Sequence, residues 1–244
     1  PIKMDYSTEL LNQISAASDI AIVTIGRNSG ESSDRVLDDD FLLSKKEEQM
    51  IKKTCDVFHS KGKKVIVILN IGGVIETSSW KNQPDAILLA WQGGQEGGNS
   101  VVDILTGKVN PSGKLPMTFP VDINDHKSTL NFPMDGEKLE LTDMIFGVDY
   151  DKPENEKIRN KDYTVYEEGI YVGYRHFDKN DIKVSFPFGY GLSYTNFEYS
   201  DLEVIKQDQK INLSLKIKNT GDVKGKEIIQ VYISKINSKI DRPT

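Results

Sequence analysis

The chain has 244 residues, 37% of them apolar and 28% charged, and its 31 lysines and arginines against 37 acids give a formal net charge of −6. That length suits one or two domains with a sizeable core, and the acidic balance, with no basic cluster longer than Lys61-Gly62-Lys63-Lys64, excludes the surface a nucleic-acid partner needs. No apolar run approaches the roughly 18 residues of a membrane span, Pro1–Ser18 reads as polar and amphipathic rather than as a signal peptide, and the single cysteine, Cys55, excludes an internal disulfide, so a cytoplasmic location is expected in preference to secretion.

From Asp19 to Phe119, short apolar runs alternate with helical segments. Asp19–Ile25 and Lys63–Asn70 read as strands buried on two faces. Between them, Ser44-Lys-Lys-Glu47 is a capping-box pattern, and Met50, Ile51, Thr54, Cys55 and Phe58 follow at helical spacing, which predicts a helix from about Ser44 to Ser60. A third strand, Asp85–Trp91, runs into a glycine-rich loop, Gln92–Gly98, and then a helix carrying Val101, Val102, Ile104 and Leu105, stopped by Gly107 and Pro111. Strands joined by crossover helices imply a mostly parallel sheet flanked by helices, an α/β sandwich. Asp122–Tyr163, with scattered apolar residues, reads as a long, partly mobile surface excursion. Val165–Tyr174 and Ser185–Tyr194 are expected to return to the α/β layer. After Tyr194 the period becomes two, in Phe197–Val204, Ile211–Ile217 and Glu227–Ile233, with a turn at Asn219–Asp222. These strands are too few for a full sandwich of about seven, so the division expected is residues 1–195 as the α/β unit and 196–244 as an incomplete β-sandwich.

Ligands of open parallel sheets bind beyond the carboxyl ends of the strands, in the loops after Ile25, Asn70 and Trp91. The first of these, Gly26–Arg35 continuing through Asp38-Asp39-Asp40, is polar and far longer than the usual two to six residues. On spacing alone it is a solvated loop with a charged tip, or it projects Glu31 as a general acid/base whose pKa is raised against a partner surface. The glycines of Asn70-Ile-Gly-Gly73 allow close backbone approach, with structural packing the simpler role. The Gln92–Gly98 loop lacks the lysine of a phosphate loop, and its Glu96 would repel a phosphate. His59, His126 and His176 are scattered without ligand spacing, so no metal site is expected, nor any cofactor. Cys55 falls on the apolar face of its helix and reads as a core thiol. The aromatic set Tyr166, Tyr171, Tyr174, Phe186, Phe188, Tyr190 and Tyr194 is read as packing between domains rather than as a sugar platform.

Several blocks in order resemble the glycoside hydrolase family 3 β-glucosidases. They are Ser29-Gly-Glu31 with Asp34-Arg35, Val67-Ile-Leu-Asn70, Trp91-Gln-Gly-Gly-Gln-Glu-Gly97, Asn110–Pro116 with Thr118-Phe-Pro120, Tyr166–Arg175, and Phe188-Gly-Tyr-Gly-Leu-Ser-Tyr194. Family members that look like this chain have a TIM barrel, an α/β sandwich and a fibronectin type III domain. The resemblance covers the second of these and the beginning of the third. It implies that Glu31 is the general acid/base on a loop reaching over the barrel. Gly30, Asp34 and Arg35 would support that loop, and Arg27 and Ser29 would face the sugar. Relatives often carry glycine and an aromatic after this glutamate, where this chain has Ser32 and Ser33.

A retaining glycosidase needs two carboxyl groups about 5–5.5 Å apart, and the resemblance puts the nucleophilic aspartate on the barrel, outside this chain. The reading is therefore the C-terminal fragment of a retaining, exo-acting β-glucosidase-like enzyme acting on β-linked oligosaccharides or aryl glycosides, inactive without the barrel domain and prone to self-association where that domain would cover it. The alternative is a non-catalytic module that binds carbohydrate or another protein.

Overall fold

The first helix, α1 (Thr8–Ala17), starts where the Ser7 hydroxyl accepts from Leu10 N at 3.2 Å in a computed structural model that describes residues 7–28, 35–131, 166–239 and 241–242. No basic residue lies in the last turn of α1. Its carbonyl end is met instead by Lys61 Nζ on Asn12 O at 2.9 Å and by Lys63 Nζ on Ser15 O and Ser18 O at 2.6 and 2.7 Å, cations where the helix dipole is negative.

Strand β1 (Ile20–Gly26) pairs in parallel with β2 (Lys64–Asn70), and β2 with β3 (Ala86–Leu89), in the order β1-β2-β3. The crossover from β1 to β2 carries α2 (Lys45–His59), capped as its sequence predicts. The Ser44 hydroxyl accepts from Glu47 N, and the Glu47 carboxylate accepts from Ser44 N. Ile51, Cys55 and Phe58 of α2 pack with Val23 and Ile25 of β1, Val65, Val67 and Leu69 of β2, and Trp80 in one buried cluster. β2 is buried on both faces, but β1 leaves Ile20 and Ile22 half exposed. Among the described residues β1 is an edge strand, and its outer face has no helix over it. β3 is also shorter than predicted, because Trp91 takes a left-handed φ of 53° that ends the extended path. Helix α3 (Gly97–Leu105) follows, and Gly107 leaves it with φ of 72°.

Residues 185–194 return to the α/β layer as expected. β4 (Phe119–Pro120) pairs antiparallel with β5 (Val184–Phe186), Thr77 Oγ1 lies 2.7 Å from Ser185 Oγ, and Lys81 Nζ donates to Ser185 O at 2.6 Å. Of the expected surface excursion, a 3-10 turn at Ile123–Asp125 and α4 (Lys127–Asn131) are described, and 132–165 lie outside the described residues. A short helix, Tyr174–Lys179, precedes β5.

β6 (Phe197–Gln207) and β7 (Lys210–Asn219) form an antiparallel hairpin with an irregularity between Ser200 and Glu203. The third predicted strand, Glu227–Ile233, joins no ladder among the described residues. It runs instead beside the α/β layer, where Gln230 Nε2 donates to Gly189 O at 3.2 Å and Glu227 pairs with Lys114 at 3.1 Å. A run of β-favouring residues becomes a strand where a neighbour's backbone lies alongside, and here side chains make the contacts. Among the described residues no helix is long and apolar enough to cross a membrane.

Candidate functional site

The carboxyl edge of the parallel sheet is where β1 and β2 end in register, Gly26 opposite Asn70. Arg27 continues the pairing by one bond, its N–H donating to Asn70 O at 3.1 Å, and its side chain then turns inward. Nη1 and Nη2 meet the two oxygens of Glu47 at 2.8 and 2.9 Å, Nε donates to Asp40 O at 2.7 Å, and the remaining hydrogens reach Gly26 O at 2.7 Å and Leu42 O at 3.3 Å. All five guanidinium donors are thus engaged within the domain, and the side chain is 8% exposed. Contact between Arg27 and a sugar, expected above, would require it to release one of these partners.

Glu47 serves two purposes at once. The oxygen that completes the α2 capping box, Oε2, accepts Ser44 N at 2.8 Å and also Arg27 Nη2. Burial pushes its pKa up. The hydrogen bonds from Arg27 and Ser44 and the arginine's charge outweigh burial, so the carboxyl lies below its ordinary range.

Eight positions further on, Arg35 Nε lies 3.1 Å from both carboxylate oxygens of Asp40, and Nη2 lies 2.7 Å from Oδ1. Its Nη1 donates to Val74 O at 2.6 Å. Gly73 makes that approach possible, since a Cβ there would lie 2.9 Å from Nη1. Between the two arginines, residues 29–34, which include Ser29, Gly30, Glu31 and Asp34, lie outside the described residues. What the structure brings together is therefore the two roots of that segment, at the sheet edge where ligands of such folds bind.

Sequence reasoning missed Asp40 and the second role of Glu47. Asp40 reads as one of three consecutive acids at a loop end, and Glu47 as a cap; neither pattern signals an arginine 13 or 20 residues earlier. In the third loop Gly93 is a packing position, whereas Gly94, Gly97 and Gly98 face open space, and Gly72 of the second loop is close-packed too. A Cβ on Gly93 would meet Gly97 Cα at 2.8 Å, and one on Gly72 would lie 3.0 Å from the Gln92 amide. Cys55 is a core thiol, pushed up to about 11 by burial first and then by Asp85 and Asp56. Of the aromatics, Phe186 packs on Phe119, and Tyr174 stacks on Phe188 at 4.7 Å with its edge toward Tyr232, joining the α/β layer to the C-terminal segment. Tyr166 stays 83% exposed. Among the described residues no group of three or more histidines, cysteines or acids could hold a metal ion.

Residues 5–174 match the glycosyl hydrolase family 3 C-terminal domain. The chain belongs to this family. A beta-glucosidase of Ruminococcus albus is 36% identical over 243 residues, covering 98% of this chain and 22% of that protein, and thermostable beta-glucosidase B of Acetivibrio thermocellus is 36% identical over 96% of this chain and 28% of its own length. Among solved structures, beta-glucosidase 3B from Thermotoga neapolitana in complex with glucose superposes with a TM-score of 0.76 at 42% identity, covering 88% of this chain and 27% of that one. The beta-glucosidase from Kluyveromyces marxianus in complex with glucose does so with a TM-score of 0.74 at 33% identity, over 97% of this chain and 25% of that one. The chain thus spans about a quarter of the length of these relatives.

Proposed function

We propose that this family 3 domain works as the C-terminal part of a retaining, exo-acting β-glucosidase-type hydrolase, with Glu31 as its general acid/base. The observation that carries the reading is the match of nearly the whole chain to beta-glucosidases, with residues 5–174 matching the family 3 C-terminal domain. The fixing of both flanks of Glu31 at the carboxyl edge of the sheet supports it. In this reading residues 1–195 form the α/β unit and 196–244 begin a fibronectin type III-like domain, while a TIM barrel supplies the nucleophilic carboxylate and most of the pocket for the terminal sugar of a β-linked oligosaccharide or aryl glycoside.

Glu31 first donates its proton to the glycosidic oxygen as the C1–O bond breaks and the nucleophile bonds to C1. As a carboxylate it then takes a proton from the water that attacks C1 and frees the enzyme. Ser29 is assigned a contact to the substrate, and Gly30 and Asp34 the shape of the loop. Arg27 and Arg35 hold the loop's two ends.

Replacement Glu31→Gln in the longer enzyme tests this. The expected loss is on the order of 10²–10⁴ in kcat/KM for alkyl glucosides, and much less for activated aryl glucosides, whose leaving groups need little protonation. Equal slowing of both would exclude the acid role. Sugar binding by the 244-residue chain alone, with no effect of Glu31→Gln on the longer enzyme, would instead identify a binding module.

A further inference from the structure

The two arginines that flank Glu31 end on the same residue. Asp40 accepts Arg35 on its carboxylate, through Nε at 3.1 Å and Nη2 at 2.7 Å, and accepts Arg27 Nε on its backbone carbonyl at 2.7 Å. Its Oδ2 also accepts Val36 N at 3.3 Å. Carboxylate and carbonyl can face two different arginines because the chain makes a wide turn over Leu37–Phe41, closed by Phe41 N on Val36 O and Leu42 N on Leu37 O, with Asp39 at a left-handed φ of 60°. Such a conformation is uncommon away from glycine, asparagine and aspartate and persists where the surroundings hold it. Here they do. Phe41 is 2% exposed, and its carbonyl accepts Glu76 N at 2.8 Å.

We propose that Asp40 is the positioning residue of the acid/base glutamate, acting by tying the two roots of its loop to one point. This rests on the assignment of Glu31 above. Two chain ends joined to one residue have far fewer relative arrangements than two ends hinged independently. A displacement near 1 Å at a reacting group costs about 100-fold in rate. Asp40 is chosen for this over Glu47 because Glu47 holds one root and Asp40 holds both. Its side chain is 20% exposed and its carboxylate is occupied by Arg35, so it acts through the loop and does not itself reach the sugar.

The test is Asp40→Asn in the longer enzyme, which keeps the shape and the carbonyl and removes the charge that holds Arg35. Glu31→Gln and the exposed neighbour Asp38→Asn are measured beside it. The expected result is a kcat lowered about 10- to 100-fold on an alkyl glucoside, a KM within about 3-fold of the original, a loss several-fold smaller on a dinitrophenyl glucoside, and a shifted basic limb of the pH–rate profile. Asp38→Asn should leave all of these unchanged. A merely structural role would lower both substrates equally and leave the limb in place. If Asp40→Asn does not fold, Arg35→Lys, which keeps a charge but loses the side-on pair, must give the same pattern. Wild-type kinetics, or equal slowing with an unmoved pH limb, overturns the positioning role. Leaving-group dependence in Glu31→Gln with none in Asp40→Asn overturns this role alone, and its absence in Glu31→Gln overturns the acid/base assignment as well.

Discussion

Arg27 and Glu47, 20 residues apart, meet in a two-pronged pair with Nη1–Oε1 at 2.8 Å and Nη2–Oε2 at 2.9 Å, and the same carboxylate caps α2. The end of β1 and the start of α2 are thereby one mechanical unit. Anything that loosens the pair loosens both the helix and the root of the loop carrying Glu31.

The pair should make stability fall in acid. The Glu47 carboxyl titrates below its ordinary value of 4.5 in the fold, so its contribution is complete above that value and disappears as the pH drops through the lower folded value. Urea unfolding of the chain and of Glu47→Gln from pH 7 to 3 should show a gap that narrows below about 4.5. A constant gap would mean that the charge of Glu47 contributes nothing. Glu47→Ala leaves the Arg27 guanidinium without its carboxylate and should cost about 3–5 kcal/mol at pH 7.

Gly73→Ala should act through Arg35. The added methyl would lie 2.9 Å from Nη1 and push it from Val74 O, a charged hydrogen bond of about 1.5–3 kcal/mol. Thermal unfolding of Gly73→Ala, Arg35→Met and the double variant measures the coupling. If the two single effects simply add, the glycine is not there for the arginine.

Cys55 should be inert in the fold. With its pKa pushed up to about 11 and the side chain 4% exposed, roughly one thiol in 1,000 is ionised at pH 8. An aromatic disulfide reagent should therefore label it at the rate of unfolding, and in urea at the rate of a free thiol. Labelling of the native chain at the free-thiol rate would contradict its place against Ile51 and Phe58.

The elements that local spacing can specify were legible. The α2 start is written in Ser44 and Glu47, three residues apart, and its buried face in Ile51, Cys55 and Phe58. Strand β2 is written in an apolar run of strand length. Where a neighbour was needed the reading went wrong, since Glu227–Ile233 has strand composition but lies against Lys114 and Gly189 rather than against another strand. β1 reads the same as β2, yet among the described residues no helix covers its outer face, which leaves Ile20 and Ile22 half exposed.

By itself the sequence determined the order of elements from β1 to α3, the capping box, the core role of Cys55 and, through the succession of its motifs, the family. These follow from interactions within a few residues along the chain, or from residue identity alone. Tertiary structure decided which charges meet. Arg27 reaches Glu47 because parallel pairing sets β1 beside β2 while α2 packs across both, and Arg35 reaches Asp40 because the turn at Asp39 folds back under a buried Phe41. Ion-pair geometry depends on where backbones lie in space, and separations of 5 and 20 residues in a loop-rich stretch carry no period from which it could be read.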